Sequence, residues 1–173
     1  VRHPDAQVRK EAIRVFGLLK PNGNGARLIL CLSDGEETVR IAALKLLTTG
    51  QYSAPFSQWT AILSDDTFLD RPLSEKRGVY QAVRATCGDE AVPYWQGLFT
   101  EWAWTNRKKK EECAVLAAEA LGKLATPAAV ATLELGQKKG GASVRQACTM
   151  ALSQLHKQSK TSQPQRKQPE DAP

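Results

Sequence analysis

One spacing recurs along this chain and constrains what it can fold into. Val8, Ala12, Val15, Phe16 and Leu19 stand at offsets 0, 4, 7, 8 and 11. At 3.6 residues per turn these positions return to one face, which predicts the buried stripe of an amphipathic helix. The same offsets recur at Val39, Ala43, Leu46 and Leu47, where Gly50 takes the fifth place and ends the helix. Cys113, Ala117, Ala120, Leu121 and Leu124 fill all five, as do Val144, Cys148, Ala151, Leu152 and Leu155. A weaker copy runs through Val79, Ala82 and Val83, with Glu75 in the first place and Thr86 in the last. The stripes begin at 8, 39, 75, 113 and 144, in steps of 31, 36, 38 and 31 residues. One helix fills about half of each step, so a further helix must occupy the remainder.

Those further helices are visible in the same text. Ala26 to Leu32 precedes Ser33-Asp34-Gly35, and Trp59 to Leu63 precedes Ser64-Asp65-Asp66, so Leu-Ser-Asp closes both. Asp and Gly there break a helix and start a tight turn. Ala91, Val92 and Trp95 match Ala129, Val130 and Leu133, and Pro93 and Pro127 fall near first turns, where proline is tolerated. A helix pair of this size cannot bury its apolar face alone, and stacked neighbours cover it. The small residue at offset 4 lets helices approach closely, while Phe16, Leu47, Val83, Leu121 and Leu152 at offset 8 fill the space between layers. No partner helix precedes the first stripe, so Val15, Phe16 and Leu19 are expected to be exposed on one side or covered by residues outside this chain. The chain begins at Val1 with the lead-in to a helix, and reads as a fragment whose N-terminal portion is missing.

Helix pairs at this period resemble HEAT repeats, particularly the short bacterial type found in phycobilin lyases. The residues that carry the resemblance are Asp5-x-x-Val8-Arg9-x-x-Ala12, Val39-Arg40-x-x-Ala43, Val144-Arg145-x-x-Cys148, and Ala120-Leu121-Gly122-Lys123-Leu124 with Thr126-Pro127-Ala128-Ala129 after it. It spans roughly residues 4 to 156. Glu75-Lys76 and Cys113-Ala114 depart from it where Val-Arg is usual, so those two repeats are expected to stack less regularly. The resemblance implies an all-α fold: an α-solenoid of about five helix-pair repeats, the first incomplete, over residues 1–156. Arg9, Arg40 and Arg145 are expected to pair with acidic groups or helix-end carbonyls of neighbouring turns. Residues 157–173, rich in Gln, Ser, Lys and Pro, are expected to form a disordered tail.

The net charge of +6 is not spread over the molecule. Arg107, Lys108, Lys109 and Lys110 supply four positive charges and the tail a net of two, leaving a body with no net charge. That argues against a long surface tracking nucleic acid. Cys31, Cys87, Cys113 and Cys148 form no CxxC pair and suit neither zinc nor a disulfide framework; buried thiols and a reducing, cytoplasmic compartment fit them. No apolar run reaches the roughly 18 residues of a membrane span.

The search for chemistry yields no catalytic, cofactor or metal site. His3 and His156 stand apart from any second ligand or nucleophile. The acidic pairs Glu36-Glu37, Asp65-Asp66, Asp89-Glu90 and Glu111-Glu112 each precede or open an expected helix, where carboxylates complement the positive N-terminal end. The irregular part is 92–110. Trp95 and Phe99 suit a buried face; Trp102 and Trp104, two apart, cannot both lie on one side of a helix. With Arg107, Lys108, Lys109 and Lys110 they are the candidate partner-binding residues. The plainest reading is a core Trp pair followed by a solvated loop. The alternatives are an anchor for a protein partner, since Trp and Arg are favoured at hot spots, and stacking with phosphate contact on nucleic acid. The expected function is a non-catalytic scaffold binding a protein partner on stacked helices. Two other functions stay open: nucleic-acid binding through Trp102 to Lys110, and an enzyme-associated module of the phycobilin-lyase-like type that the resemblance brings in.

Overall fold

The computed structural model describes residues 2–19, 23–49, 51–101 and 105–161, the side chains of 24 and 159–161 aside. Helices carry the fold, as the spacing predicts. Five are long and hold the stripes: α1 (Ala6–Leu19), α3 (Glu37–Leu47), α5 (Leu73–Cys87), α7 (Arg107–Leu124) and α9 (Ala142–Thr161). Between them lie α2 (Ala26–Leu30), α4 (Thr60–Leu63), α6 (Val92–Thr100) and α8 (Pro127–Lys139). Each long helix packs on the next, α1 on α3, α3 on α5, α5 on α7 and α7 on α9, while α6 packs on α8. Among the described residues no helix is long and apolar enough to cross a membrane.

The stripe offsets map onto burial. At offset 4, Ala43, Val79, Ala117 and Cys148 are buried; at offset 8, Leu47, Val83, Leu121 and Leu152 are buried too. The small side chains set the spacing of the long helices. A methyl group placed on Gly122 of α7 would stand 2.9 Å from the Ala151 Cβ of α9, closer than real contacts allow. A further set at offset 5 was not singled out in the sequence: Ile13, Leu44, Tyr80 and Ala118 are all buried. Leu44 shows where this set points, since its Cδ1 would lie 3.2 Å from a methyl group on Gly78 of α5. In α9 the offset-5 residue is Thr149, which is exposed beside Gln146 and Ser153. Its hydroxyl donates to the Arg145 carbonyl at 2.8 Å and accepts from Gln137 Nε2 at 2.9 Å.

Several expectations are corrected. The exposure expected of Val15 and Leu19 is found, at 37% and 76%, whereas Val8, placed in the buried stripe, is 44% exposed, and the fully buried residue of α1 is Ile13. Phe16 is half-buried, stacked against Tyr52 at 6.2 Å between ring centroids. Helices α2 and α4 are short; the 3-10 turn Cys31–Ser33 continues α2, and Asp66–Asp70 follows α4 after Ser64 and Asp65. Strand pairing is not wholly absent: β1 (Gly23–Asn24) and β2 (Tyr52–Ser53) form a two-residue parallel pair. Helix α9 continues through Thr161, past the expected boundary at 156, and places His156 on an exposed helical turn. The rest of the expected tail, 162–173, lies outside the described residues.

The loop after α3 is tied down by polar contacts with the end of α5. Trp59, fully buried, donates its indole N–H to Thr86 Oγ1 at 3.1 Å, and the Cys87 thiol donates to the Ala54 carbonyl at 3.0 Å.

Leu121 is fully enclosed between helices and Lys157 stands in solvent. Leu121→Ala should therefore cost about 2–5 kcal/mol, while Lys157→Ala should stay within about 0.5 kcal/mol. Urea melts of the two variants beside the parent check this, and equal midpoints would contradict the packing described.

Candidate functional site

The residue after the stripe's first place links successive long helices by charge. Arg9 donates from Nε and Nη2 to both oxygens of Asp34, at 2.7 and 2.8 Å. Arg40 does the same to Glu75, at 2.7 and 2.9 Å, and Arg71 adds a bond to Glu75 at 3.1 Å. Lys76 pairs with Glu112. Each cation also caps carbonyls of the loop before its own helix. Arg9 reaches His3 and Pro4, Arg40 reaches Asp34 and Gly35, Lys76 reaches Leu69, and Arg145 reaches Gly140 at 3.0 Å. The pairing expected of Arg9, Arg40 and Arg145 is thus observed, with acids for the first two and a carbonyl for the third. Glu75-Lys76 supplies both an acid and a cation to the same series.

Charge pairs of this kind shift the groups they join. Hydrogen bonding to Arg9 holds the Asp34 carboxyl below the usual carboxylate range and raises the Arg9 guanidinium. Burial pushes the Cys113 thiol up and the Cys148 thiol up to about 11. Both are therefore protonated at neutral pH and poor nucleophiles. Among the described residues no group of three or more His, Cys, Asp or Glu is placed to hold a metal ion.

The series breaks at α7. The equivalent of Arg9, Arg40 and Lys76 is Ala114, and the next repeat offers no acid between Gly140 and Val144. Helix α7 also begins differently. The other long helices start two residues before their stripe, at 6, 37, 73 and 142, whereas α7 starts six residues before, at Arg107. This extra turn is Arg107-Lys108-Lys109-Lys110, so those residues are helical and not the loop expected, and Glu111-Glu112 lie inside the helix and do not open it. The turn has a direct consequence for position 114. Its backbone uses the carbonyls of 107–109 for helical bonding, and a cation at 114 would find none to cap.

A cleft of about 450 Å3 lies between the N-terminal ends of α7 and α9, with Ala114 buried at its base. Ala114, Val144 and Phe99 lie beneath it, almost wholly buried, and Leu98 is partly exposed to it. Arg107, Lys110 and Lys139 stand at its mouth with Glu101 and Glu111. Residues 107, 110, 111 and 114 share one helical face, the spacing of i, i+3, i+4 and i+7. The Glu111 carboxylate leans over Gly141, where a methyl group would lie 3.4 Å from its Oε1. It faces the positive end of α9, whose first turn carries no acid of its own. Gly140 admits no side chain, since a methyl there would stand 2.6 Å from the Gly136 carbonyl oxygen and 2.7 Å from Val144.

Of the candidate residues, Arg107 and Lys110 reach the cleft. Lys109 turns away to pair with Asp70, and Lys108 is exposed outside it. Trp102 and Trp104 lie outside the described residues. The sequence reading missed Lys139, Gly140, Gly141 and Ala114 as parts of one site. The signal available was the departure at Cys113-Ala114, read there as irregular stacking. Compared with models of protein families, with curated proteins and with solved structures, the chain matches none.

Two outcomes follow for the charge series. Glu75 is 2% exposed, so Glu75→Ala strands two guanidinium groups and should cost about 3–5 kcal/mol. Arg77→Ala, from a pair with Glu119 on the solvent side, should cost about 0–1 kcal/mol. Because the Asp34 pKa is lowered on folding, its contribution is complete above the ordinary carboxylate range near pH 4. It is lost as pH falls through the depressed value. Asp34→Asn should flatten that acid limb, read as the urea midpoint against pH.

Proposed function

We propose that this chain is a HEAT-like α-solenoid of about five units that binds a protein partner and carries no catalysis of its own. The observation that supports it best is the break in the charge series. In a chain whose long helices are otherwise joined by Arg or Lys, one junction has Ala114 in that place and a cleft beside an added basic turn. Stacked repeats present extended surfaces of this kind, and the geometry suits binding. The function rests on this site and not on the fold, because repeat folds serve many ends.

A second reading, nucleic-acid binding, is favoured by one feature, the four cations of the turn Arg107–Lys110. It makes a distinct claim, since counterion release would make binding steeply salt-dependent. Affinity capture with the full chain, followed by mass spectrometry, should return a saturable protein partner that survives nuclease treatment. Replacing Arg107, Lys108, Lys109 and Lys110 with alanine should leave at most weak, non-specific nucleic-acid binding unchanged or reduced. Tight, competitor-resistant binding to one nucleic acid at physiological salt, abolished by that replacement, would reject the scaffold reading.

A further inference from the structure

We infer that the outward side of the long helices takes an acidic peptide segment laid across α3, α5 and α7, its carboxylates meeting Lys45, Arg84 and Lys123. This rests on the scaffold reading and names the chemistry of the partner. The neutral total of the body conceals a segregation of charge. Asp34, Glu36, Asp65, Asp66 and Asp70 collect in the turns before α3 and α5. Offsets 2, 6 and 9 from the start of each stripe fall opposite the buried positions, and offsets 3 and 10 flank them. At those offsets α1, α3, α5 and α7 carry the cations Lys10, Arg14, Lys45, Arg77, Arg84 and Lys123 against the acids Glu11 and Glu119. Both acids are already held, Glu11 by Arg14 at 2.6 Å and Glu119 by Arg77 at 2.9 Å. Glu37 and Glu112, at N-terminal ends, lie beside Arg40 and Lys76. Among the described residues, no acid stands within ion-pair distance of Lys10, Lys45, Arg84 or Lys123.

The long helices lie side by side, so these positions form one surface. Leu44 of α3 abuts Gly78 of α5, and the pair of Arg77 with Glu119 bridges α5 and α7 on the solvent side. Lys45, Arg84 and Lys123 each stand in the last turn of their helix. They form a row, one cation per helix, with steps of roughly 8–10 Å set by helix packing. Lys45 and Lys123 are exposed and Arg84 is half-buried. Each cation offsets the negative end of its own helix, but that role does not require all three to share one outward side. The row ends at α7, since α9 has Gln146, Met150, Ser153 and Gln154 at the corresponding offsets. A nucleic acid fits less well. Glu11 and Glu119 interrupt the cations and would repel a continuous run of phosphates, whereas a peptide can set neutral residues opposite them. No aromatic ring occupies these offsets in the four helices, so a single strand would find nothing on which to stack its bases.

Fluorescence anisotropy of labelled synthetic peptides with the full chain, at about 0.15 M salt, tests this. The probes are a peptide of alternating Glu and Ser, the same with Gln for Glu, the same with Lys for Glu, and an oligothymidylate. The Glu peptide should bind, and each other probe at least about tenfold more weakly. Lys45→Ala together with Lys123→Ala, both at exposed positions, should weaken the Glu peptide about tenfold or more, with the melting temperature kept. Should that pair fail to fold, each single replacement should weaken it about threefold. Lys138→Ala together with Lys139→Ala removes the same charge from exposed positions in the last turn of α8, outside this surface, and should change nothing. No binding of the Glu peptide, equal binding of the Gln peptide, or an equal loss in the two pairs would overturn the inference. Should the peptides fail while a captured protein partner contacts another face, the surface assignment falls and the scaffold reading stands. Competitor-resistant binding of the oligothymidylate, lost in the pair Lys45→Ala and Lys123→Ala, would overturn both.

Discussion

Close approach of successive long helices is the constraint on which the rest of the structure depends. Neither α3 nor α5 nor α7 can cover its own apolar face, and each is covered by the next. Small side chains make this possible: Ala43, Ala82, Ala117, Ala120 and Cys148 are buried along the contacts, and Gly122 meets Ala151 with no room for another atom. The charge series follows from that spacing. A guanidinium on one helix reaches an acid carried by the next repeat only if the helices lie within a side chain's length. Arg40 and Glu75 meet with two parallel bonds because the backbones are held there by apolar packing. A pair of this kind adds little net stability over an apolar replacement, but a helix out of register would leave its charges buried and alone.

The same spacing explains the cleft. Helices α7 and α9 touch closely at Gly122 and Ala151, while the cleft lies beside their N-terminal ends, where Ala114 stands in place of a long side chain. The added turn Arg107–Lys110 raises positive charge at a helix end that is already positive, an arrangement that costs stability in isolation. Asp70 offsets part of it through Lys109, and Glu111 lies one turn further on. Packing and electrostatics thus concentrate unusual features at the junction of α7 and α9.

How much of this was legible in the sequence depended on how local the cause was. The stripe offsets are set within one helix, and Val39, Ala43, Leu47, Cys113, Ala117 and Leu121 are buried as their spacing implies. The offset-5 residues went unnoticed because Ile13, Leu44, Tyr80 and Ala118 differ in residue type and Thr149 breaks the pattern; their burial is visible only once helices are packed. Val8 has the right spacing and is 44% exposed, since periodicity reports a face and not what covers it, while the exposure of Val15 and Leu19 was legible from the lack of a partner helix before the first stripe. The start of α7 was misplaced because four consecutive cations read as a solvated loop. Ala114 was seen as a departure, but its meaning needed the partners of Arg9, Arg40 and Lys76, which lie 25 to 36 residues away in the chain. Trp102 and Trp104, on which much of the sequence argument leaned, lie outside the described residues.

The first and last of the described long helices differ in the faces they leave exposed. The exposed side of α1 shows Val8, Val15 and Leu19, while α9 shows Gln146, Thr149 and Ser153, with Met150 the exposed large apolar residue among them. A helix laid along α1 would therefore need apolar side chains to match it, whereas one laid along α9 would have to meet hydroxyl and amide groups, so the two faces select neighbours of different chemistry.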